Sequence, residues 1–258
     1  MDGDPARRWL PWSSDQMQAQ SLRLLCLPHS GGSASTFRPW IKRYAAAGVT
    51  VCPVEYPGRG SRATEPLPSS VEEIAVAMRR DLGDWLRAAP YAVLGHSLGA
   101  LVGYSLAERI ELAGERAPER LVLCAARAPS GGRASPWHLL SRAALIDRLR
   151  TLGGMAERVL DNDEVLDIIL PVIRADLATA EAWQSGRGYA PLKAPLIVVA
   201  GSADPMAPAD SALAWRAYAR GDFAAEVLTG DHFFLHAHAD RIVALATGRA
   251  LAKLPQDA

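Results

Sequence analysis

Residues 91–103 read Tyr-Ala-Val-Leu-Gly-His-Ser-Leu-Gly-Ala-Leu-Val-Gly, and this stretch decides the fold. Tyr91–Leu94 is a short apolar run typical of a buried strand, and an apolar helix begins at Leu98. Between them, Gly95-x-Ser97-x-Gly99 places a serine on a tight strand-to-helix turn. The two glycines remove side chains that would collide on such a turn. The stretch therefore predicts a nucleophilic serine above the carboxyl ends of a parallel sheet.

Apolar runs of strand length recur along the chain and alternate with helical patterns. This alternation is typical of a parallel sheet covered on both faces, and right-handed crossovers make it doubly wound. We therefore expect an α/β protein with a mostly parallel sheet, in which residues 1–258 form a single domain. The predicted strands are Leu22–Leu27, Val49–Tyr56, Tyr91–Gly95, Arg120–Ala126, Leu196–Gly201 and Phe223–Leu228. The predicted helices are Ser35–Ala47, Ser70–Leu86, Leu98–Leu112, Pro208–Arg220 and Ala239–Leu254, and they follow an irregular N-terminal arm.

One segment, residues 136–185, interrupts the alternation, because it has helical patterns and no strand pattern. Its run Val165–Ile173 is apolar on more than one face, which packing against a single surface does not require. We interpret the segment as an inserted helical lid, called the lid below, that also lines an apolar substrate chamber. The alternative is a pair of ordinary crossover helices with a wide buried face. The residues expected to line the chamber are Leu166, Ile169, Leu170 and Ile173.

A serine becomes a good nucleophile only when a base takes its proton. For a nucleophile on this kind of turn, the order along the chain is serine, then acid, then histidine. His232 lies on the loop after the last predicted strand and is therefore the predicted base. The other histidines precede the serine, lie in the lid or lie near the closing helix. They are His29, His96, His138, His236 and His238.

The acid should follow the strand before that one, where Asp204 stands on a turn fixed by Pro205. Its role would be to hold His232 in the right tautomer and to stabilise the imidazolium. Asp210 lies inside a predicted helix, and Asp231 is adjacent to the histidine and should point elsewhere. The alternative for Asp204 is an ordinary turn-forming aspartate before proline.

Acyl transfer through a serine also needs two donors for the oxyanion. One predicted donor is the backbone N–H of Leu98, directly after the nucleophile. The second should come from the loop after the first strand, where two glycines allow close approach to a ligand. We assign it to the Ser30 N–H, with Gly31 as the alternative.

The bulk composition excludes several classes of protein. Of 258 residues, 49% are hydrophobic and 22% are charged, as in globular proteins, and the formal net charge of +0 gives no attraction to nucleic acid. The chain has no apolar stretch of membrane-spanning length and no secretion signal at its start, so we expect a cytoplasmic protein that does not enter membranes. Its three cysteines lie in apolar runs without metal-ligand spacing, so neither a disulfide framework nor a metal is expected.

The motifs together resemble those of type II thioesterases that accompany polyketide synthases and nonribosomal peptide synthetases, within the α/β-hydrolase superfamily. The resemblance covers nearly everything from Leu22 to the last helix. Ser30 and Asp231 depart from it, since these positions often hold alanine and glycine. The motifs that carry it are Pro28–Ala34 (Pro-His-Ser-Gly-Gly-Ser-Ala), Tyr56–Gly60 (Tyr-Pro-Gly-Arg-Gly), Pro90-Tyr91, Gly95–Ala100, Pro171–Leu177 and His232–Leu235 (His-Phe-Phe-Leu).

The resemblance implies a serine thioesterase that removes stalled or mis-primed acyl groups from the phosphopantetheine arm of an acyl- or peptidyl-carrier protein. The carrier protein would dock transiently near the lid, no cofactor is implied, and a monomer is expected. Three alternatives stay open at this point. They are an esterase or lipase acting on small free esters, an acyltransferase, and a non-enzymatic binding module.

Overall fold

A computed structural model describes residues 4–12, 22–129, 136–185 and 188–249. Their centre is a six-stranded sheet in the order β2-β1-β3-β4-β5-β6, and every neighbouring pair is parallel. The expected α/β architecture with a mostly parallel sheet is therefore confirmed. The strands are β1 (Leu22–Leu27), β2 (Val49–Pro53), β3 (Tyr91–His96), β4 (Leu121–Cys124), β5 (Leu196–Gly201) and β6 (Phe223–Leu228).

Helices cover both faces of this sheet. The α-helices are α1 (Pro5–Trp9), α2 (Arg38–Ala45), α3 (Val71–Ala88), α4 (Leu98–Leu112), α5 (Arg142–Leu152), α6 (Glu157–Leu160), α7 (Asp163–Gln184) and α8 (Ala239–Thr247). Short 3₁₀ helices span Ala34–Phe37, Gly60–Arg62, Trp137–Leu139, Ala209–Tyr218 and Phe234–His236.

Alternate residues of each strand enter different cores, as the two-residue period of a strand requires. Leu25 and Val93 belong to a core with α3 and α4, whereas Leu24 and Leu94 belong to a core with α2 and α8. Helix α4 is buried on nearly every side, because it packs against the sheet, α3 and α7. Its position fixes the residue at its N-terminus, Ser97, within the molecule.

The sheet order reverses between β1 and β3, since the chain moves outward from β1 to β2 and then returns to the other side. At such a switch point the loops leaving the two strands diverge and leave a crevice at the carboxyl ends, where ligands bind in open α/β sheets. The loop after β1 and the turn after β3 are the two segments predicted to form the oxyanion hole.

The lid follows β4 and contains α5, α6 and α7. These helices bury a small core of their own, whose residues are Leu145, Leu149, Leu160, Leu166, Leu170, Ile173 and Leu177. Helix α7 also contacts α3 and α4, so the lid rests on the main fold at one end.

Several predicted elements differ in detail. The N-terminal arm, predicted to be irregular, contains α1, which is capped by the Asp4 side chain and has Pro5 in its first turn. The helix predicted at Ser35–Ala47 begins as a 3₁₀ turn, and the one predicted at Pro208–Arg220 is 3₁₀ helix over Ala209–Tyr218. The closing helix ends at Thr247, with Gly248 in the left-handed conformation, and the predicted stretch beyond residue 249 lies outside the described residues.

Candidate active site

Ser97 stands in a strained backbone conformation between β3 and α4, with φ 54° and ψ −114°. Only one other non-glycine residue among those described has a positive φ, namely Ala125. A Cβ on Gly95 would overlap the backbone of Gly99 and Ala100, and a Cβ on Gly99 would overlap the carbonyl of Leu27 at the end of β1. The glycines are thus required by contacts within the turn and with the neighbouring strand.

His232 and Asp204 meet in the interior, where their residues are 2% and 4% exposed. The imidazole Nδ1 lies 2.8 Å from Asp204 Oδ2. Because a carboxylate only accepts hydrogen bonds, Nδ1 carries the proton and Nε2 is left free to act as a base. The two residues come from the loops after β6 and β5, which are adjacent strands.

The Asp204 carboxylate is itself oriented by the backbone. The amides of Met206 and Ala207 donate to Oδ1 at 2.8 and 3.0 Å, in the turn that follows Asp204. This leaves Oδ2 to face His232. Asp204 therefore has the turn-forming role that was the alternative interpretation, and its other oxygen holds the imidazole.

Two further histidines pack behind His232. The Nε2 of His96 donates to the His232 carbonyl at 2.8 Å, which helps to hold the backbone of that loop. His29 packs edge-on against His96 and Phe233, with ring centroids 5.1 and 5.0 Å apart. Burial, with a smaller contribution from nearby charges, lowers the pKa of His29 to about 3, and burial also lowers the pKa of His96 well below its usual value. Both rings are therefore neutral at physiological pH, so neither opposes a positive charge on His232.

The two predicted oxyanion donors lie on either side of Ser97. Leu98 is the first residue of α4, and an amide at a helix N-terminus has no partner within the helix. In the loop after β1, the Gly32 amide donates to the His29 carbonyl at 2.9 Å, and the Gly31 amide donates to Asp176 Oδ2 at 2.7 Å. The Gly31 amide is thus already engaged, and the Ser30 amide makes no hydrogen bond to another described residue.

Ser97 and His232 line the same two cavities, together with Ser30. Among the described residues no hydrogen bond joins the Ser97 hydroxyl to His232 in this structure. Serine–imidazole hydrogen bonds are often long in ligand-free enzymes and shorten when substrate binds. The structure thus brings the predicted nucleophile and the predicted base to one crevice.

The first cavity has a volume of about 50 Å³ and is mostly apolar. It lies between Ser97 and the lid, and the Phe233 side chain forms part of its wall. Its lining residues are His29, Ser30, Ser97, Trp137, Leu149, Leu152, Gly153, Gly154, Met155, Ile173, Leu177, Met206, His232 and Phe233.

The second cavity is larger, at about 240 Å³, and its walls are polar as well as apolar. It shares Ser30, Ser97, Trp137, Leu177, Met206 and His232 with the first cavity. The residues that belong to it alone are Leu98, Leu101, Ala125, Ala126, Arg127, Arg148, Ala180, Glu181, Gln184, Pro205 and Ala207.

The four predicted chamber residues of the lid do not behave alike. Ile173 lines the apolar cavity beside Ser97. Leu166 and Leu170 are buried in the core of the lid itself, and Ile169 packs against that core, so none of these three lines either cavity. Helix α7 turns these three side chains toward α5 and α6, within the lid. Leu149, Leu152 and Met155 take their place.

Sequence reasoning also assigned no role to Arg59 and Asp176, which form a buried ion pair beside the loop after β1. They are 117 residues apart, so their spacing carries no local signal. Their only trace in the sequence is that each stands in one of the motifs that carry the family resemblance.

Among the described residues, no group of three or more histidine, cysteine or carboxylate side chains could hold a metal ion. Within the same part of the chain, no helix combines the length and apolarity needed to cross a bilayer.

Comparison with known proteins gives a family. The model of the thioesterase domain family matches residues 22–248. The thioesterase PikA5 of Streptomyces venezuelae is 37% identical over 216 residues, which are 84% of this chain and 76% of that protein. The gramicidin S biosynthesis protein GrsT of Aneurinibacillus migulanus is 32% identical over 219 residues, which are 84% of each chain.

Solved structures agree. RedJ, a thioesterase from the prodiginine biosynthetic pathway in Streptomyces coelicolor, matches with a TM-score of 0.82 and 35% identity, over 90% of this chain and 92% of that one. YbtT, a type II thioesterase from the yersiniabactin NRPS/PKS pathway, matches with a TM-score of 0.80 and 26% identity, over 93% and 98%. The chain therefore belongs to the thioesterase family, among type II thioesterases of polyketide and nonribosomal peptide biosynthesis.

Proposed function

We propose that this thioesterase hydrolyses acyl thioesters held on the phosphopantetheine arm of carrier proteins, using Ser97 as nucleophile, His232 as base and Asp204 as the orienting acid. The observation that carries the proposal is the hydrogen bond between His232 Nδ1 and Asp204 Oδ2, at 2.8 Å, beside a serine in a strained turn. This arrangement leaves the imidazole Nε2 free to take a proton from a group in the crevice that Ser97 and His232 share.

The reaction proceeds in two halves. His232 Nε2 takes the Ser97 proton while Oγ attacks the thioester carbonyl, and the tetrahedral intermediate then expels the thiol, which receives the proton from His232. In the second half, His232 activates a water that attacks the acyl-serine. The carboxylic acid leaves, and Ser97 regains its proton. Asp204 stabilises the imidazolium in both halves without itself becoming protonated.

The Leu98 and Ser30 amides donate to the oxyanion in this account. Ser30 is preferred over Gly31 because the Gly31 amide is already bonded to Asp176. An amide engaged by a carboxylate would have to break that bond before serving the intermediate. Each oxyanion donor contributes about 3–4 kcal/mol to the transition state.

The two cavities suggest which part of the substrate binds on each side of Ser97. The apolar cavity of about 50 Å³ takes a short acyl group, since its walls offer apolar contacts and little room. The larger cavity takes the phosphopantetheine arm, because its walls include Arg127, Glu181 and Gln184, which can hydrogen-bond the amides of that arm. An acyl thioester lying across Ser97 would thus place its carbonyl carbon where the cavities meet.

The cellular role follows from this division. An enzyme that accepts short acyl groups on a carrier arm removes stalled or mis-primed units and frees the carrier for correct loading. Carrier proteins are the partners of such chemistry. We further propose that the carrier docks transiently near the lid and that the enzyme acts as a cytoplasmic monomer.

The test compares hydrolysis of a short-acyl carrier-protein thioester with that of a matched oxyester, in wild type and in Ser97→Ala. We expect the thioester to be the better substrate by kcat/KM, and Ser97→Ala to lose nearly all turnover with an unchanged thermal transition. Residual activity of a well-folded Ser97→Ala protein would remove Ser97 as nucleophile. Preference for the oxyester would make the protein an esterase, and transfer of the acyl group to an added amine or alcohol would make it an acyltransferase.

A further inference from the structure

A buried ion pair connects the lid to the loop that carries the second oxyanion donor. Asp176, on helix α7, and Arg59, from the loop after β2, are 3% and 6% exposed. Arg59 Nη2 donates to Asp176 Oδ1 at 2.8 Å, and Arg59 Nη1 donates to Asp176 Oδ2. The same Oδ2 accepts the Gly31 amide at 2.7 Å. One carboxylate therefore joins three separate segments of the chain.

The Gly31 hydrogen bond fixes the shape of the loop after β1, which carries Ser30. The bond from the Gly32 amide to the His29 carbonyl closes a four-residue turn, and Gly31, its third residue, has φ +76°, the value of a type II turn. The type I alternative differs by rotation of the peptide between Ser30 and Gly31. That rotation would turn the Ser30 carbonyl toward the Asp176 carboxylate, which repels it. Asp176 thus favours one of the two turn types. The rotation does not itself turn the Ser30 amide, which belongs to the preceding peptide, so Asp176 acts on that amide by fixing the position of the loop that carries it.

Arg59 makes this arrangement compatible with an oxyanion. A lone buried carboxylate near the developing negative charge would oppose it, and the bidentate guanidinium neutralises that carboxylate. Arg59 also donates to the Gly32 carbonyl at 3.4 Å, so it contacts the same loop directly. Glu55 Oε1 accepts the Ala34 amide at 3.2 Å and anchors the far end of the loop.

We propose that Asp176 is a positioning residue for the oxyanion hole, through which helix α7 of the lid anchors the loop at the place where its Ser30 amide faces the oxyanion. The hole is then complete only while α7 is seated on that loop, so lid closure and transition-state stabilisation are coupled. This inference rests on the proposed function, since it assumes that the Ser30 amide serves an oxyanion.

Two charge-balanced double variants separate positioning from packing. Arg59→Met/Asp176→Leu removes the acceptor of Gly31 and leaves no lone buried charge, a kind of replacement that proteins often tolerate. Arg59→Gln/Asp176→Asn also removes both charges but keeps an amide oxygen for Gly31. The substrate is a short-acyl pantetheine thioester. An alkyl boronic acid, which forms a tetrahedral adduct with serine, and a non-cleavable thioether analogue serve as ligands.

The Met/Leu pair should lower kcat by roughly 10-fold to 100-fold, less than the loss of a whole donor, because the loop still visits the active conformation part of the time. Its KM and its affinity for the thioether should change little, whereas its affinity for the boronic acid falls with kcat. The Gln/Asn pair should keep most of the kcat. Equal losses in both pairs, or an unchanged kcat in a folded Met/Leu pair, would overturn the proposal.

A measurement on the unmodified enzyme covers the case in which the Met/Leu pair does not fold. Hydrogen exchange with and without the boronic acid should show residues 29–32 and the turn of α7 around Asp176 gaining protection together. Protection of the loop without α7 would refute the coupling. If the serine mechanism itself were wrong, the boronic acid would not bind wild type and Ser97→Ala would stay active, so the two failures are distinguishable.

Discussion

Replacing Asp204 by asparagine tests the orientation of His232 with almost no change in shape. The amides of Met206 and Ala207 donate to Oδ1, at 2.8 and 3.0 Å. In Asp204→Asn, these two backbone donors should face the carbonyl oxygen of the asparagine side chain, because an NH₂ group in the position of Oδ1 would meet two N–H donors. The NH₂ then faces His232 Nδ1 and donates to it. Since Nδ1 must then accept a hydrogen bond, the imidazole proton moves to Nε2, the nitrogen that would take the proton of Ser97.

The size of the effect follows from those two backbone bonds. Turning the amide over would restore the correct tautomer but leave two buried donors unpaired, at about 1–3 kcal/mol each. The active arrangement is therefore disfavoured by about 2–6 kcal/mol, which corresponds to a fall in kcat of roughly 30-fold to 10⁴-fold. Because the amide fills the same space, the thermal transition should change much less than the activity.

The assay is thiol release from an acyl pantetheine thioester under saturating substrate. Asp231→Asn is the matched control, because it removes the same charge one residue before His232, from an exposed side chain that caps the Phe233 amide and does not touch Nδ1. The control should keep kcat within about threefold, since exposed charges interact weakly. If Asp204→Asn, correctly folded, kept more than about a third of the wild-type kcat, the assignment of Asp204 would be refuted.

Two further predictions concern the lid and the neutral histidines. Ile173→Ala should shift the acyl preference toward longer chains, because Ile173 lines the apolar cavity, whereas Ile169→Ala should leave the chain-length profile unchanged; equal shifts would contradict the lining described above. Burial lowers the pKa of His29 in the folded protein to about 3, so between about pH 6.5 and about pH 3 only the unfolded chain binds a proton at His29. Protonation therefore favours unfolding more and more as the pH falls through this range. Between about pH 7.5 and about pH 4.5, the free energy of unfolding measured with denaturant should therefore fall less in His29→Phe than in wild type, by at most about 3 kcal/mol. An identical fall in both proteins would show that His29 is not the group responsible.

Much of the architecture could be predicted from local pattern. All six strands were predicted from short apolar runs, although the edge strand β6, unlike the other five, is largely exposed. Their order placed Ser97, Asp204 and His232 on loops at one end of the sheet. The short helix α1 was missed. Its residues carry little periodicity, and what holds it is the packing of Trp9, whose Nε1 donates to Asp81 at 2.9 Å.

Contacts between distant segments could not be predicted in the same way. The Arg59–Asp176 pair depends on how α7 lies across the loop after β2, and no spacing records that. The apolar pattern of the lid predicted correctly that Leu166, Leu170 and Ile173 are buried, but it could not say whether a side chain faces the cavity, the core of the lid or, like Ile168, the solvent. For that reason Ile173 lines the cavity, while Leu166, Ile169 and Leu170 do not.

The central claim is that Ser97 carries the acyl group during turnover, and rapid-quench mass spectrometry tests it most directly. Wild-type enzyme mixed with a slowly hydrolysed acyl thioester should gain the mass of one acyl group, on the proteolytic peptide that contains Ser97. Thiol release without any adduct, or an adduct on another residue that is still present in Ser97→Ala, would contradict the account.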